Sequence, residues 1–178
     1  LAAIAATSVY GAPAEAIAAG LASFKGAPGR MEEIATIDGV LYVNNTTATA
    51  PVATIAALSV LPGLFNRVHL IAGGSSKRSD LTELGKAIAA SGVRVLLLTG
   101  SGTDELRAHI ATAGGSYEGP FGSMADAMEA AVARVSTGDV VALSPGCASF
   151  GMFLNEFDRG RQFDSFVHQI HESVISKS

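Results

Sequence analysis

The sequence is poor in the features that define several large classes of protein. It contains one cysteine, Cys147, which excludes an internal disulfide framework and fits a reducing compartment. No apolar run reaches the length of a membrane-spanning helix, and the alanine-rich start is broken by Gly11 and Pro13. That start also lacks the basic segment of a signal peptide. We therefore expect a cytoplasmic protein that does not enter membranes.

Charge of either sign is also scarce. The net charge is −4 and only 16% of residues are charged, which argues against a broad nucleic-acid surface. The chain has 178 residues, of which 48% are hydrophobic, and it has 20 glycines. These values fit one compact α/β domain, or one domain plus a fragment of another, rather than a disordered chain.

Common motifs for cofactors and nucleophiles are missing. Residues 73–77, Gly-Gly-Ser-Ser-Lys, are too short for a phosphate-binding P-loop, and residues 99–102 lack the third glycine and acidic partner of a dinucleotide site. Ser144 and Ser149 do not stand in a Gly-x-Ser-x-Gly elbow. The sequence therefore assigns no catalytic residue to this chain.

The titratable residues do not indicate a metal centre. His168 and His171 share a helix face, but no carboxylate or cysteine accompanies them. His69 lies inside an apolar strand and is predicted to be a core residue. Cys147 has no basic neighbour in sequence and is predicted to be a small turn residue rather than a nucleophile. Arg159 and Arg161, beside Asp158, are predicted to pair on a helix surface.

What the sequence does contain is a regular alternation of strands and helices. Asp38-Gly39 joins the apolar runs 31–37 and 40–44, which predicts a hairpin because both turn residues tolerate positive φ. Consecutive apolar residues such as Val95–Leu98 are typical of parallel strands covered on both faces. We predict a doubly wound, Rossmann-like α/β fold, whose mostly parallel sheet of about six strands opens with an antiparallel hairpin.

The remaining elements follow from periodicity, caps and breakers. The predicted strands are Arg67–Ala72, Val93–Thr99, Ser116–Tyr117 and Val140–Leu143. The predicted helices are Leu1–Tyr10, one from Pro13 to before Gly26, Pro51–Leu61, Asp80–Ala90, Thr103–Ala113, Ser123–Val135 and Arg159–Ile175. The breaker cluster at residues 26–29 predicts a boundary, with residues 1–28 ending a preceding domain and residues 29–178 forming the main one. Because the chain begins inside a helix without a methionine, we expect a piece of a longer protein.

Four turns of this fold are expected at the carboxyl ends of strands, where open parallel sheets bind ligands. They are residues 44–51, 73–77, 99–103 and 144–149. Hydroxyls beside backbone N–H groups, with Lys77 as a point charge, fit a carboxylate or a phosphate. The same residue types are also what turns and helix caps require, and Lys77 is equally consistent with a solvated surface position.

Several of these stretches match the ordered motifs of one family. They are Gly29-Arg-Met-Glu-Glu33, Val43-Asn-Asn-Thr-Thr-Ala-Thr49, Ala72-Gly-Gly-Ser-Ser-Lys77 and Leu143-Ser-Pro-Gly-Cys-Ala-Ser-Phe-Gly-Met-Phe153, followed by Arg159-Gly160. In order and spacing the chain resembles the Mur ligases. It is similar to their C-terminal domain, preceded by the last helices of the central ATPase domain.

The resemblance implies an ATP-dependent amide ligase of peptidoglycan synthesis. Such enzymes phosphorylate the carboxylate of UDP-MurNAc-L-alanine, and the amino group of glutamate then attacks the acyl phosphate. The C-terminal domain of the family holds the amino acid and closes over the nucleotide, whereas ATP and Mg²⁺ are bound mainly by the central domain. We therefore expect a monomer that is inactive as the isolated 178-residue chain.

The resemblance also implies roles for particular residues. The nucleotide ribose and base would be faced by Arg30 and Asn45. The two carboxylates of glutamate would be held by Thr49, Lys77, Ser149 and the backbone of Phe150.

The chain departs from the family pattern at several positions. The usual Asp-Ser-Lys-Ala-Thr reads Asn45-Thr-Thr-Ala-Thr49, so that a carboxylate and a lysine are both absent. Gly29 replaces a histidine, and Gly151 replaces an aspartate. These departures indicate a divergent ligase, and the Thr-Thr form also resembles a variant group that uses L-glutamate. Two alternatives are a folylpolyglutamate synthase-like ligase and a non-catalytic module that binds an amino acid or a protein.

Overall fold

The computed structural model describes residues 1–176 as an α/β fold built on one mixed sheet. The strands are β1 (Glu32–Ile37), β2 (Val40–Asn44), β3 (Val68–Gly73), β4 (Arg94–Leu98), β5 (Glu118–Phe121) and β6 (Val140–Leu143). The helices are α1 (Ala2–Val9), α2 (Ala14–Ser23), α3 (Pro51–Leu58), α4 (Thr82–Ser91), α5 (Ser101–Thr112), α6 (Met124–Val132) and α7 (Glu156–Ile175).

The sheet has six strands within the described residues, in the order β1-β2-β6-β3-β4-β5. Only β1 and β2 pair in antiparallel fashion. Their turn places both Asp38 (φ 51°) and Gly39 (φ 78°) in the left-handed region, as the Asp-Gly sequence requires. The predicted sheet and its opening hairpin are confirmed.

Both faces of the sheet are covered, which confirms the doubly wound arrangement. On β3, Ile71 packs with residues of α6 and α7, whereas its neighbours Leu70 and Ala72 pack with α4 and α5 on the other side. This alternation explains why the central strands are apolar at consecutive positions.

Several predicted boundaries differ from the structure. The strand expected at Ser116–Tyr117 lies slightly later, at β5. Helix α3 ends at Leu58, and a short 3₁₀ turn, Leu61–Gly63, follows it. The last helix begins at Glu156, three residues before the predicted start, because Asn155 Oδ1 accepts a hydrogen bond of 2.9 Å from Asp158 N and caps it. The predicted cap at Ser123 is present, with Asp126 N donating to its hydroxyl at 3.1 Å.

The prediction that Arg159 lies on the helix surface is wrong. Arg161 does pair with Asp158 at 3.4 Å, but the side chain of Arg159 is fully buried. With α7 starting at Glu156, Arg159 falls on the same stripe as Phe163 and Val167, four and eight residues further on, and both are also fully buried. The charged residue therefore lies at the head of an apolar stripe that faces the sheet.

Helices α1 and α2 differ from the rest of the chain, because neither contains a buried residue. Leu21 and Phe24 keep 51% and 68% of their surface exposed. The boundary at residues 26–29 stays a prediction. No helix among residues 1–176 combines the length and the apolar character that crossing a membrane requires.

Candidate functional site

The four turns that were expected to lie together do meet at one edge of the sheet. This follows from the parallel pairing of β2, β6, β3 and β4, whose carboxyl ends point the same way. Ser75 and Ala148 exchange backbone hydrogen bonds of 2.9 and 3.0 Å, which join the turn after β3 to the turn after β6. Asn45 Nδ2 donates to Ser144 Oγ at 3.0 Å and joins the turns after β2 and β6.

The turn after β4 supports its neighbour. Thr103 is fully buried, and its hydroxyl accepts from Gly74 N at 2.8 Å and donates to Leu98 O at 2.5 Å. Ser101 Oγ accepts from Ser76 N at 3.1 Å. The hydroxyls of this turn are therefore used to hold residues 74–76 in place.

Lys77 and Thr49 lie together on the glutamate side of the predicted site. Lys77 Nζ donates to Thr49 Oγ1 at 2.9 Å, and Lys77 is exposed. They line a narrow cavity of about 10 Å³ with Ser75, Cys147 and other residues of the adjoining turns. That volume holds about one water molecule, so the interior of this cavity is too small for an amino acid.

The other two residues predicted to hold glutamate lie in the adjoining turn. Ser149 is only 3% exposed, whereas Phe150 exposes 62% of its surface. The Phe150 carbonyl accepts a hydrogen bond from the Ser75 hydroxyl, which places this turn two residues from Lys77. Neither Ser149 nor Phe150 lines the narrow cavity.

Arg30 and Asn45 line a larger cavity of about 380 Å³, whose floor is formed by alanines of α3. Arg30 is exposed, and Asn45 is buried at 5% exposure. The Asn45 amide is already used on both sides, since Oδ1 accepts from Met31 N at 3.1 Å and Nδ2 donates to Ser144. Asn45 therefore braces this cavity, and its amide would have to exchange a partner to reach a ribose.

Thr47, which stands where the family pattern has lysine, anchors the segment that carries Arg30. Its backbone N–H and its hydroxyl both donate to Gly29 O, at 3.0 and 2.7 Å. Gly29 N donates in turn to Glu32 Oε2 at 2.7 Å. Gly29 has φ 67°, and its nearest contact, with Thr46, leaves no room for a side chain.

Arg159 is a residue of this edge that sequence reasoning misplaced. Its guanidinium donates to Thr46 Oγ1 at 3.1 Å, to Thr46 O at 2.8 Å and to Cys147 O at 3.2 Å. Burial lowers the pKa of Arg159 to about 10, which still leaves it charged at neutral pH. The stripe Arg159, Phe163 and Val167 is the signal that could have found it.

Neither a reactive thiol nor a metal site is present at this edge. Burial raises the pKa of the Cys147 thiol to about 11, so it stays protonated and is a poor nucleophile. No group of three or more His, Cys, Asp or Glu residues suitable for a metal occurs in residues 1–176. The side chains lining both cavities are hydroxyls, an amide, cations and apolar groups, and these do not fit Mg²⁺, which prefers carboxylates.

The opposite edge of the sheet has a different chemistry. His69 is fully buried, as predicted, and its Nε2 lies 3.2 Å from Asp139 Oδ2. Arg94 Nη1 donates to His69 Nδ1 at 3.3 Å, so Nδ1 is the acceptor and Nε2 carries the proton. Arg94 also forms a bidentate pair with Glu118 at 2.6 and 2.8 Å. Burial lowers the pKa of His69 and favours its neutral form.

The fold agrees with comparisons to known proteins. Residues 29–147, more than half of the chain, match the family model described as Mur ligase, glutamate ligase domain. The chain belongs to the Mur ligase family. It is 40% identical over 168 residues to the UDP-N-acetylmuramoylalanine–D-glutamate ligase of Roseiflexus sp. strain RS-1, and 38% identical over 173 residues to the ligase of that name from Symbiobacterium thermophilum. These matches cover 93% and 96% of this chain but only 35% and 37% of the relatives.

Solved structures show the same fold. E. coli FolC in complex with ADP aligns with a TM-score of 0.64 and 20% identity over 98% of this chain and 39% of its own. MurF ligase from Thermotoga maritima in complex with ADP aligns with a TM-score of 0.57 and 18% identity over 84% of this chain and 33% of its own. At these identities the likeness establishes the architecture alone.

Proposed function

We propose that this chain is the glutamate-binding part of an ATP-dependent ligase that adds D-glutamate to UDP-MurNAc-L-alanine in the cytoplasm. The curated relatives are D-glutamate ligases, and they match 93% and 96% of the chain. Since the chain spans little more than a third of those relatives, the activity is that of a longer protein. Residues 1–28 would belong to its preceding domain, which explains why α1 and α2 bury no residue here.

One observation carries this proposal: the cations at the carboxyl edge of the sheet have no carboxylate partners. Among residues 1–176 no ion pair involves Lys77 or Arg30, the two exposed cations of the predicted site. Lys77 donates only to the Thr49 hydroxyl, a neutral acceptor that an anion would readily replace. Positive charge that is not neutralised suits the two carboxylates of glutamate at Lys77 and an anionic nucleotide beside Arg30.

In the proposed reaction the residues of this chain position the glutamate and do not themselves form or break bonds. The glutamate nitrogen attacks the carbonyl carbon of an acyl phosphate, a C–N bond forms, the C–O bond to phosphate breaks, and the amine loses a proton. Lys77, Thr49 and Ser149 would hold the two carboxylates so that the amine faces that carbon, which converts an encounter in solution into an oriented one. Arg30, Asn45 and the cavity of about 380 Å³ beside them would receive the ribose and base of the nucleotide.

The substitutions at Asn45 and Thr47 are compatible with this function. The Asn45 amide and the Thr47 hydroxyl hold residues 29–31 through Met31 N and Gly29 O. In this chain they therefore place Arg30 by hydrogen bonds to its neighbours. We propose a divergent D-glutamate ligase in which these bonds replace the charged pair of the usual pattern.

The test is phosphate release by the full-length protein with ATP and UDP-MurNAc-L-alanine, comparing D-glutamate with L-glutamate. We expect release with D-glutamate and little with L-glutamate. A preference for L-glutamate would overturn the stereochemical assignment. Release only with a folate substrate and glutamate would favour the folylpolyglutamate synthase alternative, and release with neither would favour a non-catalytic binding module. We expect no turnover by the 178-residue chain alone, because it contains no P-loop.

A further inference from the structure

The feature that the proposed function does not use is the buried guanidinium of Arg159. Three circumstances oppose a cation there. It is fully buried, it lies in the first turn of α7 where the helix dipole is positive, and no carboxylate pairs with it in the described chain. Its acceptors are two peptide carbonyls and one hydroxyl. An apolar side chain would fill the stripe above Phe163 without these costs, so the guanidinium must provide something that packing alone does not.

What it provides is a link between the two candidate ligand sites. Thr46 lies between Asn45 and Thr47, which both line the nucleotide-side cavity. Cys147 lines the narrow cavity beside Lys77 on the glutamate side. Nη2 of Arg159 donates to Thr46 O and Nη1 donates to Cys147 O, so one planar group fixes the separation of the two walls.

A second contact ties the same helix to the same turn. The Thr46 hydroxyl accepts from Arg159 Nε and donates to Glu156 O at 2.7 Å, so it is satisfied in both directions by α7. At Gly160, a Cβ atom would come within 2.8 Å of Thr46 Cγ2 and 3.0 Å of Asn44 Nδ2. The close approach of α7 to this turn therefore depends on an arginine and a glycine that are adjacent in sequence.

We propose that Arg159 is a positioning residue that holds the nucleotide-side wall and the glutamate-side wall at a fixed separation. Both ligands are then bound in the relative position that the reaction needs. This rests on the proposed function. Loss of the guanidinium would leave each wall able to shift separately by a fraction of an ångström. When positioning groups are displaced by that much, the ligands are no longer well aligned, and the reaction slows by an order of magnitude or more.

The test compares Arg159→Met, Arg159→Lys and the control Arg161→Met in the full-length ligase, measuring KM for ATP, KM for glutamate, kcat and the thermal midpoint. Arg161 is on the same helix two residues later, but it is exposed and pairs with Asp158. For Arg159→Met we expect both KM values to rise together by on the order of tenfold. Arg159→Lys keeps the charge but not the planar fork, so it should fall between wild type and Arg159→Met. Arg161→Met should leave both KM values unchanged.

A purely structural arginine would give a different result. Arg159→Met would then lower the thermal midpoint and the fraction of active enzyme, but the KM values of the remaining folded enzyme would not move. That outcome, or a rise in only one of the two KM values, overturns the proposal. If Arg159→Met does not fold, Arg159→Lys decides: both KM values should rise together, and a rise in only one would overturn the proposal. Gly160→Ala keeps the guanidinium, but its added methyl displaces Thr46 directly, so KM for ATP should rise more than KM for glutamate. Wild-type protein that does not turn over glutamate would instead contradict the proposed function.

Discussion

The two edges of the sheet surround their cations with different partners. At the amino edge of β3, β4 and β6, Arg94 meets an acid, Glu118, through two hydrogen bonds, and the neutral imidazole of His69 is hydrogen-bonded to Asp139. Within residues 1–176 the charged and imidazole groups of this network are hydrogen-bonded to one another. It serves to hold strands together.

At the carboxyl edge the cations meet only neutral acceptors. Lys77 donates to a hydroxyl, and Arg159 donates to a hydroxyl and two carbonyls. Hydrogen bonds to neutral groups solvate a cation but leave its charge acting on the surroundings. Under the proposed function, the carboxyl edge keeps its positive charge available to anionic ligands, whereas the amino edge pairs its charge within the fold.

The largest expected change in stability is at the amino edge of the sheet. Asp139→Ala removes the acceptor of both His69 Nε2 and Ser136 N, the latter at 2.9 Å, and leaves two donors unsatisfied. We expect the free energy of unfolding to fall by about 3 kcal/mol, measured by urea denaturation of the full-length protein. KM for glutamate should stay the same in the folded fraction. A tenfold change in this KM would contradict the view that the amino edge does not take part in ligand binding.

The next largest effect, on glutamate binding, is expected at the carboxyl edge of the sheet. Lys77→Ala removes the charge that we place on a glutamate carboxylate, and binding should weaken by about 1.5–3 kcal/mol, or roughly tenfold to more than a hundredfold in KM. Because Lys77 is exposed and, among residues 1–176, its side chain donates only to Thr49, the free energy of unfolding should hardly change. Lys86→Ala, which removes an exposed lysine that pairs with Glu83 on α4, is the matched control. An unchanged KM for glutamate in Lys77→Ala would refute the assignment.

A smaller effect is expected at Thr47. Thr47→Val keeps the shape of the side chain but removes its 2.7 Å hydrogen bond to Gly29 O, which the backbone N–H of Thr47 continues to make. We expect KM for ATP to rise by a factor of about 5, equivalent to about 1 kcal/mol, with KM for glutamate unchanged. Thr47→Ser, which keeps the hydroxyl, should behave as wild type. Equal effects of the two variants would show that the hydroxyl does not place Arg30.

The smallest expected effect is a pH dependence of stability. Burial lowers the pKa of His69 in the folded protein below its value of about 6.5 in the unfolded chain. The folded state then favours the neutral imidazole, so its contribution is complete above about pH 6.5 and is lost as the pH falls through the lower, folded pKa. Unfolding measured between pH 7.5 and 5 should show this loss. The variant His69→Gln, which keeps a polar side chain, should lack that component of the pH dependence.

Much of the fold could be predicted because local signals and the global arrangement agree. The Asp38-Gly39 turn, the apolar run of β4 and the cap at Ser123 each specify a structure that the sheet also requires. The edge that gathers the ligand-binding turns follows directly from parallel pairing. Lys77 and Thr49 were both predicted to hold the carboxylates of glutamate; the structure places the two side chains in contact, and their binding of glutamate stays a prediction.

The misplacement of Arg159 has a definite physical cause. Arginine beside an aspartate in a helix is normally a surface pair, and Arg161 with Asp158 follows that rule. The burial of Arg159 depends on where α7 begins and on acceptors from residues far away in sequence, such as Thr46. A helix start three residues away changes which side chain faces the core, and sequence patterns fix helix ends only to within a few residues.

The hairpin of α1 and α2 has a practical consequence for handling the protein. Its outward side chains, among them Val9, Tyr10, Leu21 and Phe24, would meet water in any preparation of these 178 residues, and surfaces of this kind promote self-association. A chain that begins at Gly29 would lack this exposed apolar surface but would keep the hydrogen bonds of Gly29 with Glu32 and Thr47. Light scattering of the two versions at equal concentration should show the longer one associating and the shorter one staying dispersed.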